Sequence, residues 1–233
     1  MKPLQTYYPF GPPIGHAELP KELVNDLNKG CDDIIKDEEL SKSADHSHAL
    51  VGQVEQELLI PRDILKKWGQ WFGAQVQAYV AGYFNQLHIP EQNIMEASKE
   101  EVEKSFSRMQ TYVQAAWYVR SFAGDYNPIH VHTDCHLTCV GFLKVPDLSK
   151  ELKKKMQTIN RGSPNGVLEV LSSVGVIDSD FENDRIGFVP KVGNWYLFPA
   201  NLRHTAYPFK GDGERRSFSI NINTNMFKGV SDK

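Results

Sequence analysis

The sequence has few cysteines and no long apolar run, and both absences exclude classes of protein. Its three cysteines, Cys31, Cys135 and Cys139, are too few and odd in number for a disulfide framework, which indicates a reducing compartment. No apolar run approaches the roughly 20 residues that a membrane-spanning helix needs. The opening segment also shows no signal-peptide hydrophobic region. We therefore expect a soluble, cytoplasmic protein with no membrane partner.

An excess of positive charge is also missing. Lysines and arginines number 26 against 29 aspartates and glutamates, and no basic stripe is present, so no nucleic-acid partner is expected. The remaining composition is that of an ordinary globular protein, with 40% hydrophobic and 24% charged residues among 233. This length accommodates one large domain or two small ones.

The first part of the chain is patterned for helices. Apolar residues at helical spacing predict a helix within residues 19–37, and a broad apolar stripe predicts the clearest helix over residues 62–87, which we expect to support a core. The stretch between them, residues 42–61, has the composition of a polar loop that enters a short strand. Residues 1–20 are rich in proline, glycine and aromatic side chains, which is typical of an extended arm.

After about residue 108 the chain changes to short aromatic and β-branched segments separated by Gly, Pro and Asn. That sequence pattern is typical of a barrel or jelly roll. The predicted strands lie within residues 111–124, 127–132, 137–146, 166–171, 185–193, 194–200 and 215–224. Further short helices are expected near residues 98–109 and in the charged insert 147–157, and a mobile loop at 160–166.

These patterns together predict a mainly β fold with N-terminal helices, of the α+β class. Its core is a double-stranded β-helix, or jelly roll. We expect residues 1–108 to form an arm and support helices, and residues 109–233 to form the core, packed together as one integrated domain.

The segment GDYNPIHVHTDCHL gathers four potential metal ligands at alternate positions, namely His130, His132, Asp134 and His136. In an extended strand, alternate side chains point to the same face. A His-x-His or His-x-Asp pair alone is weak, because a lone histidine is more often a hydrogen-bonded structural residue. The cluster follows a turn at Gly124–Asp125, at the mouth of a predicted strand, and this context favours a metal site.

A second segment, GNWYLFPANLRHTAYPF, places His204 just after a predicted strand, and Arg215 opens the last strand eleven residues later. Two histidines and a carboxylate form the facial triad of non-haem Fe(II) oxygenases, which leaves positions for a bidentate co-substrate and dioxygen. A guanidinium binds carboxylates bidentately, including the distal carboxylate of 2-oxoglutarate. Arg215 is therefore the candidate co-substrate residue. Ser217 shares its strand face as a hydroxyl donor, and Arg216 points to the other face as a surface or salt-bridge residue.

These residues carry a family resemblance. Residues 109–224 resemble the catalytic core of the 2-oxoglutarate/Fe(II)-dependent oxygenases, in a branch common in phages and marine bacteria and distantly similar to prolyl hydroxylases. The stretch PFGPPIGHAELPKELVNDL also resembles the opening segment of that branch. The resemblance implies a double-stranded β-helix that uses Fe(II), 2-oxoglutarate and O2 and releases succinate and CO2, in a bacterium or a phage-infected host.

The ligand set has two possible registers. Family members usually carry His-x-Asp, which His132 and Asp134 would supply together with His204. In prolyl-hydroxylase-like chains the first histidine often lies six residues after the turn glycine, and six residues after Gly124 is His130. The registers exclude each other, because at about 3.3 Å per residue His130 and Asp134 lie about 13 Å apart. We favour the all-histidine set, with Asp134 in place of His130 as the alternative.

Two other classes of protein remain open on the same residues. The segment GDYNPIHVH also matches a cupin pattern, although His136 stands where cupins usually have glutamate, so a metal-dependent enzyme without 2-oxoglutarate is one alternative. A metal-free jelly-roll structural or binding module is the other. If the chain is an oxygenase, analogy suggests hydroxylation of a peptide or protein side chain such as prolyl. A small amino-acid-like substrate and a homodimer are further possibilities.

Overall fold

The computed structural model describes residues 13–87, 108–147, 165–171 and 185–225. The helices in these ranges are α1 Lys21–Lys36, α2 Glu38–Ala44 and α3 Arg62–Leu87, with a short 3-10 turn at Ser47–Ala49. The strands are β1 Gly15–Glu18, β2 Gln56–Leu59, β3 Thr111–Ser121, β4 Asn127–His130, β5 Leu137–Lys144, β6 Leu168–Leu171, β7 Arg185–Phe188, β8 Asn194–Pro199, β9 His204–Ala206 and β10 Arg215–Thr224. The helices expected near residues 98–109 and 147–157, and the loop at 160–166, lie almost wholly outside the described residues.

The strands form two antiparallel sheets. The larger sheet has the order β1-β8-β5-β10-β3-β2, and the smaller one has the order β4-β9-β6-β7. Strand β10 lies in the middle of the larger sheet, between β5 and β3. Two antiparallel sheets built from non-consecutive strands are the jelly-roll arrangement. The predicted fold class is confirmed.

Helices α1 and α3 cover the outer face of the larger sheet. Helix α1 buries one stripe of its surface, and α3 follows the apolar stripe that its sequence predicts. The residues of this outer core include Leu23, Leu27 and Cys31 from α1, Phe72, Val76 and Val80 from α3, and Trp195, Phe218 and Ile220 from the sheet. Strands β1 and β2 come from the N-terminal part of the chain and pair with β8 and β3.

A second core lies between the two sheets. It is smaller, and its buried residues are Phe142, Leu168, Val170, Tyr196, Phe198 and Leu202. The space between the sheets is therefore filled only in part. A cavity opens beside this second core, and the inner faces of both sheets line it. That cavity is where the candidate site lies.

The differences from the predicted elements have local causes. Helix α2 was not predicted, because none of its residues is buried and it therefore has no apolar stripe; the Asp37 side chain caps it by accepting from two backbone N–H groups. Strands β1 and β9 are only four and three residues long, too short to show a period. None of the described helices is long and apolar enough to cross a membrane.

Candidate metal centre

Three histidines converge in the cavity. One ring nitrogen each of His130, His132 and His204 lies within 4.8 Å of the others. His130 is the last residue of β4 and His204 the first residue of β9, and these two residues are register partners in the antiparallel pair. His132 follows β4, where its backbone N–H donates to Ala200 O at 2.8 Å. The sheet pairing, rather than one strand, brings the three rings together.

The rings of His130 and His204 are held by the same kind of hydrogen bond, from Nδ1 to a backbone carbonyl oxygen. His130 Nδ1 lies 2.7 Å from Pro128 O, and His204 Nδ1 lies 2.9 Å from Leu202 O. A carbonyl oxygen only accepts, so each Nδ1 carries the proton and donates it. Each Nε2 is left with a free lone pair, which is the form in which imidazole binds a metal.

The His132 ring is held by the larger sheet. Its Nδ1 donates to Asn221 Oδ1 on β10 at 2.7 Å, and Thr138 donates its hydroxyl to the same oxygen at 3.1 Å. The ring stacks on Trp117 of β3, with centroids 5.6 Å apart. Nε2 of His132 is again the free nitrogen, and it lies 3.2 Å from Nε2 of His204.

The protonation state of the cluster suits a metal. Burial lowers the pKa of His204 to about 3 and that of His132 to about 4, with a smaller contribution from His130 in each case. Burial also lowers the pKa of His130. All three imidazoles are therefore neutral near pH 7, so their lone pairs are available without loss of a proton.

The geometry of the cluster fits a single divalent transition metal. Two nitrogens bound at right angles to one ion, each about 2.1 Å from it, lie about 3 Å apart. The 3.2 Å between the Nε2 atoms of His132 and His204 is close to that separation. Three neutral imidazoles form a donor set that Fe(II) accepts, as do zinc, copper and nickel. The residues present thus fit a metal ion, and on geometry alone they do not select which one.

The structure places Asp134 and His136 apart from the cluster. Strand β4 ends at His130, so the expectation that all four alternate residues share one strand face is wrong. Asp134 is exposed in a left-handed conformation, with φ of 59°, and its backbone carbonyl accepts from Asn223 Nδ2 at 3.0 Å. His136 Nδ1 accepts from the backbone N–H of Thr224 at 3.1 Å. The alternative register and the four-ligand cupin set are therefore not assembled among the described residues.

Arg215 is a buried cation that faces the same cavity. It is 3% exposed, and burial lowers its pKa to about 10. Its Nη1 donates to Tyr207 O at 2.9 Å and to Gly166 O at 3.2 Å. No carboxylate of the described residues lies within ion-pair distance. Ser217, two residues along β10, also lines the cavity.

Arg216 lies on the opposite face of β10 and is neutralised there. Both its Nε and Nη2 donate to the Glu214 carboxylate at 2.9 Å, and Nη2 lies 2.8 Å from Asp32 on α1. The sequence expectation placed Arg216 in a salt bridge or at the surface. It forms the salt bridge, although it is only 1% exposed.

The cavity holds further polar residues that the sequence did not single out. Its volume is about 220 Å³. Asn221 and Thr138 orient His132, and Glu57 of β2 is a buried acid on the cavity wall. One signal for Asn221 was present, because Ser217, Ser219 and Asn221 alternate with the apolar residues Phe218, Ile220 and Ile222. Glu57 had no such signal.

Comparison with known proteins finds a family that matches the β-strand part of the chain. Residues 115–221 match the family model described as "Putative 2OG-Fe(II) oxygenase", where 2OG is 2-oxoglutarate. The matched range runs from β3 to β10 and contains the histidine cluster and Arg215. Over this range, which is just under half of the chain, the protein is similar to the 2OG-Fe(II) oxygenases. Fe(II), 2-oxoglutarate and O2 are the cofactor and co-substrates of the matched family, and the predicted resemblance is confirmed.

Solved structures of this family are similar in fold. A non-haem α-ketoglutarate-dependent carbocyclase from nogalamycin biosynthesis aligns over 90% of this chain and 79% of its own, with 10% identity and a TM-score of 0.54. A Pseudomonas putida prolyl-4-hydroxylase aligns over 90% of this chain and 91% of its own, with 12% identity and a TM-score of 0.49. At such low identities the similarity to the carbocyclase shows a shared fold only, and nothing about this protein follows from the similarity to the prolyl-4-hydroxylase.

A third solved structure aligns over a smaller share of both chains. The chain spans 56% of a 2OG-Fe(II) oxygenase family oxidoreductase from Burkholderia pseudomallei, over 59% of its own length, with 14% identity and a TM-score of 0.36. A search of curated protein sequences found no significant match. The reaction and the substrate therefore have to be argued from the site itself.

Proposed function

We propose that the protein is an Fe(II)- and 2-oxoglutarate-dependent hydroxylase that holds iron with His130, His132 and His204. The observation that carries the proposal is the pairing of two features in one cavity. One is a cluster of three neutral imidazoles, and the other is a buried guanidinium with no acidic partner among the described residues. A metal site and an anion site side by side are what a chelating dicarboxylate requires.

The histidines would bind the metal with little rearrangement. Each ring is already held through Nδ1, by two backbone carbonyls and by Asn221, so the three Nε2 atoms are oriented before the ion arrives. Bound Fe(II) supplies the activation of O2 that oxidises a C–H bond, with 2-oxoglutarate as the two-electron reductant. The chain supplies ligand orientation and a site shielded from water.

Arg215 would bind the distal carboxylate of 2-oxoglutarate. Its present partners are two backbone carbonyl oxygens and the Ser121 hydroxyl, all of them neutral, so no ion pair matches the positive charge in this buried site. A carboxylate placed there gains a charge-assisted hydrogen bond in a region of low dielectric. The Ser217 hydroxyl, on the same wall, would donate a second hydrogen bond. Binding of the co-substrate thus neutralises a charge that the fold leaves open.

We further propose that the oxidised group belongs to an amino-acid unit, either free or within a peptide, with a prolyl side chain as the narrowest form of the hypothesis. The family resemblance of the GDYNPIHVH and RHTAYPF segments to prolyl hydroxylases motivates the choice. Fold alone does not transfer a substrate, so the prime substrate has to be tested directly.

The first experiment measures binding before turnover. Purified metal-free protein is titrated with Fe(II) without oxygen and then with 2-oxoglutarate, and succinate is measured after O2 and ascorbate are added. We expect His204→Ala to lose iron binding, and Arg215→Met to keep iron binding but lose 2-oxoglutarate affinity by roughly 100-fold. Both variants should form no succinate.

Asp134→Ala and His130→Ala form the matched control pair. We expect Asp134→Ala to bind iron as the parent protein does, and His130→Ala to lose affinity. The reverse result would establish the aspartate register and refute the all-histidine set. Iron binding that survives His204→Ala, or unchanged 2-oxoglutarate affinity in Arg215→Met, would refute the proposed site.

A further inference from the structure

A buried acid shares the cavity with the metal cluster and has no role in the function proposed above. Glu57 is 1% exposed, and it is the single acidic residue among the described residues that line the cavity. The Asn127 side chain hydrogen-bonds its carboxyl group, while Oε2 has no hydrogen-bond partner among the described residues. A buried carboxyl oxygen without a partner is costly, so its presence calls for a physical reason.

The Glu57 side chain is fixed in place by its strand. Its backbone N–H donates to Ser47 Oγ at 3.1 Å, and its carbonyl accepts from the His46 N–H at 2.9 Å. In the sheet, Glu57 pairs with Val119 of β3, and Val119 pairs with Ser217 of β10. All three of these paired residues line the cavity. The acid therefore lies in one row with the proposed co-substrate residue Ser217.

The wall around the carboxyl group is closely packed. A Cβ atom at Gly52 would lie 3.0 Å from Glu57 Oε1 and 2.9 Å from Asn127 Nδ2, so the backbone of Gly52 covers that side of the pair. Burial raises the pKa of Glu57 to about 7, and the Asp45 carboxylate adds a smaller increase. No lysine or arginine among the described residues forms an ion pair with it. The Glu57 carboxyl group is therefore not paired with a positively charged side chain among the described residues.

Arg215 and Glu57 line the same cavity and favour ligands of opposite charge. Arg215 offers a positive charge that suits a carboxylate, whereas Glu57 offers a carboxyl group that repels one. The ionised form of Glu57 therefore disfavours a dianionic co-substrate beside it. A ligand with a protonated nitrogen would satisfy Oε2 and lower the pKa of the acid by its own charge.

We propose that Glu57 binds a protonated amine or guanidinium of the prime substrate, so that the substrate is a basic amino acid or a peptide that presents a basic group. This inference rests on the proposed function for the location of the reacting centre. The Glu57 carboxyl group would pair with that cation on the wall of the same cavity that the histidines line. Glu57 is in this sense the residue that selects the substrate by charge.

The test compares matched ligands on the Fe(II)- and 2-oxoglutarate-loaded protein without O2, by calorimetry. Free L-lysine is compared with L-norleucine, and a capped tripeptide with central lysine is compared with its norleucine counterpart. We expect at least one lysine probe to bind roughly ten-fold or more tightly than its neutral partner. The free and peptide arms distinguish the two sources of the amine. L-Arginine and L-citrulline repeat the comparison for a guanidinium.

Glu57→Gln is the decisive variant, because it keeps the shape of the side chain and removes its charge. We expect the preference for cationic probes to vanish in Glu57→Gln and to persist in Glu55→Gln, which removes the same charge from an exposed residue outside the cavity wall. A thermal melt confirms that both variants fold. A preference that survives in Glu57→Gln overturns the proposal, as does equal or absent binding of all cationic and neutral probes.

The failure of this inference can be separated from failure of the proposed function. Fe(II) and 2-oxoglutarate binding are measured first, on the same preparation. If both bind and no charge preference is found, Glu57 has no role in substrate recognition and the oxygenase assignment of the site stands. If neither binds, the proposed function is refuted before any amine is added.

Discussion

Arg215 and Arg216 are neighbours on β10, and their surroundings differ in almost every respect. Arg216 faces the helices and is matched by two carboxylates, those of Glu214 and Asp32. Arg215 faces the cavity and bonds only to neutral oxygens. Both side chains are almost fully buried. Two arginines of equal burial thus have opposite electrostatic roles, because alternate residues of one strand face different layers.

The same contrast holds for the two faces of the larger sheet. On the outer face the buried charges are matched within the chain, and Arg120 also pairs with Glu214 there at 2.9 Å. On the inner face Arg215 and Glu57 have no ionic partner among the described residues. The outer face therefore serves stability, whereas under the proposed function the inner face keeps charges unpaired for ligands at a cost to stability. Four predictions test this division, from the largest expected effect to the smallest.

The largest effect is expected for Arg216→Ala. The substitution leaves Glu214, whose side chain is only 14% exposed, with a weakened set of partners, and breaking a largely buried pair in this way costs about 3–5 kcal/mol. The free energy of unfolding, measured with urea on metal-free protein, should fall by that amount.

Arg215→Met is the matched variant for the inner face. It replaces an unpaired buried cation with an apolar side chain of similar length, so we expect a change within about 1–2 kcal/mol. Equal losses in the two variants would contradict the division between a stabilising face and a ligand-binding face.

The second prediction concerns the pH dependence of Glu57. Its pKa is raised from 4.5 to about 7, so the folded protein binds more protons than the unfolded chain between these values. Stability should therefore fall as pH rises from 4.5 to 7, by at most about 3 kcal/mol from this group. The Glu57→Gln variant lacks this titration. Its unfolding free energy should therefore rise relative to that of the parent protein as pH increases from 4.5 to 7.

Glu55→Gln provides the control for that measurement. It carries the same change of charge at an exposed position, so it shows how much of the change in stability comes from the loss of one negative charge alone. The titration of the histidines is common to all three proteins and cancels in the difference. A flat difference for Glu57→Gln would show that its carboxyl group is not strained in the folded state.

The third prediction concerns Asn221, which orients the His132 ring. Loss of such an outer hydrogen bond lowers metal affinity by roughly 10- to 100-fold, so Asn221→Ala should bind Fe(II) that much more weakly in an anaerobic titration. Asn223→Ala is the control, because the Asn223 side chain bonds the backbone of His136 and Asp134 rather than a cluster ring. Equal losses in both variants would indicate a general effect on the strand.

The smallest effect is expected for Asp37→Ala, in the outer layer. The Asp37 side chain accepts from the backbone N–H groups of Glu39 and Leu40, each at 3.0 Å, and caps α2. Loss of such a cap costs about 1 kcal/mol. Thermal melting should shift down slightly while Fe(II) affinity stays unchanged. A drop in metal affinity would show that the helical layer and the metal centre are coupled.

Sequence patterns predicted the layers of this molecule well. The apolar period of residues 62–87 predicted α3, and seven strand segments were found because β-branched and aromatic runs were separated by turn residues. Helix α2 was missed because none of its residues is buried, so its sequence shows no apolar period. A side-chain cap at Asp37 stabilises it instead, and such a cap does not produce a period. Long elements with one buried face are predictable, whereas short elements depend on their surroundings.

The candidate site was predicted in part. The three histidines and Arg215 were selected by residue type and spacing, and the structure brings all four into one cavity. The geometric reason offered for the cluster was wrong, because the chain leaves the strand after His130 and turns at Asp134. Pairing of β4 with β9, more than 70 residues apart in sequence, assembles the rings instead.

The sequence by itself determined the chemistry available to this protein: imidazoles, two guanidinium groups at the start of the last strand and a jelly-roll pattern to hold them. The tertiary structure alone decided which groups stay charged and unpaired. Glu57 and Arg216 are unremarkable in sequence, since burial and partners come from strands and helices far along the chain. Their energies depend on local dielectric and on neighbouring charges, and only the packed fold fixes both.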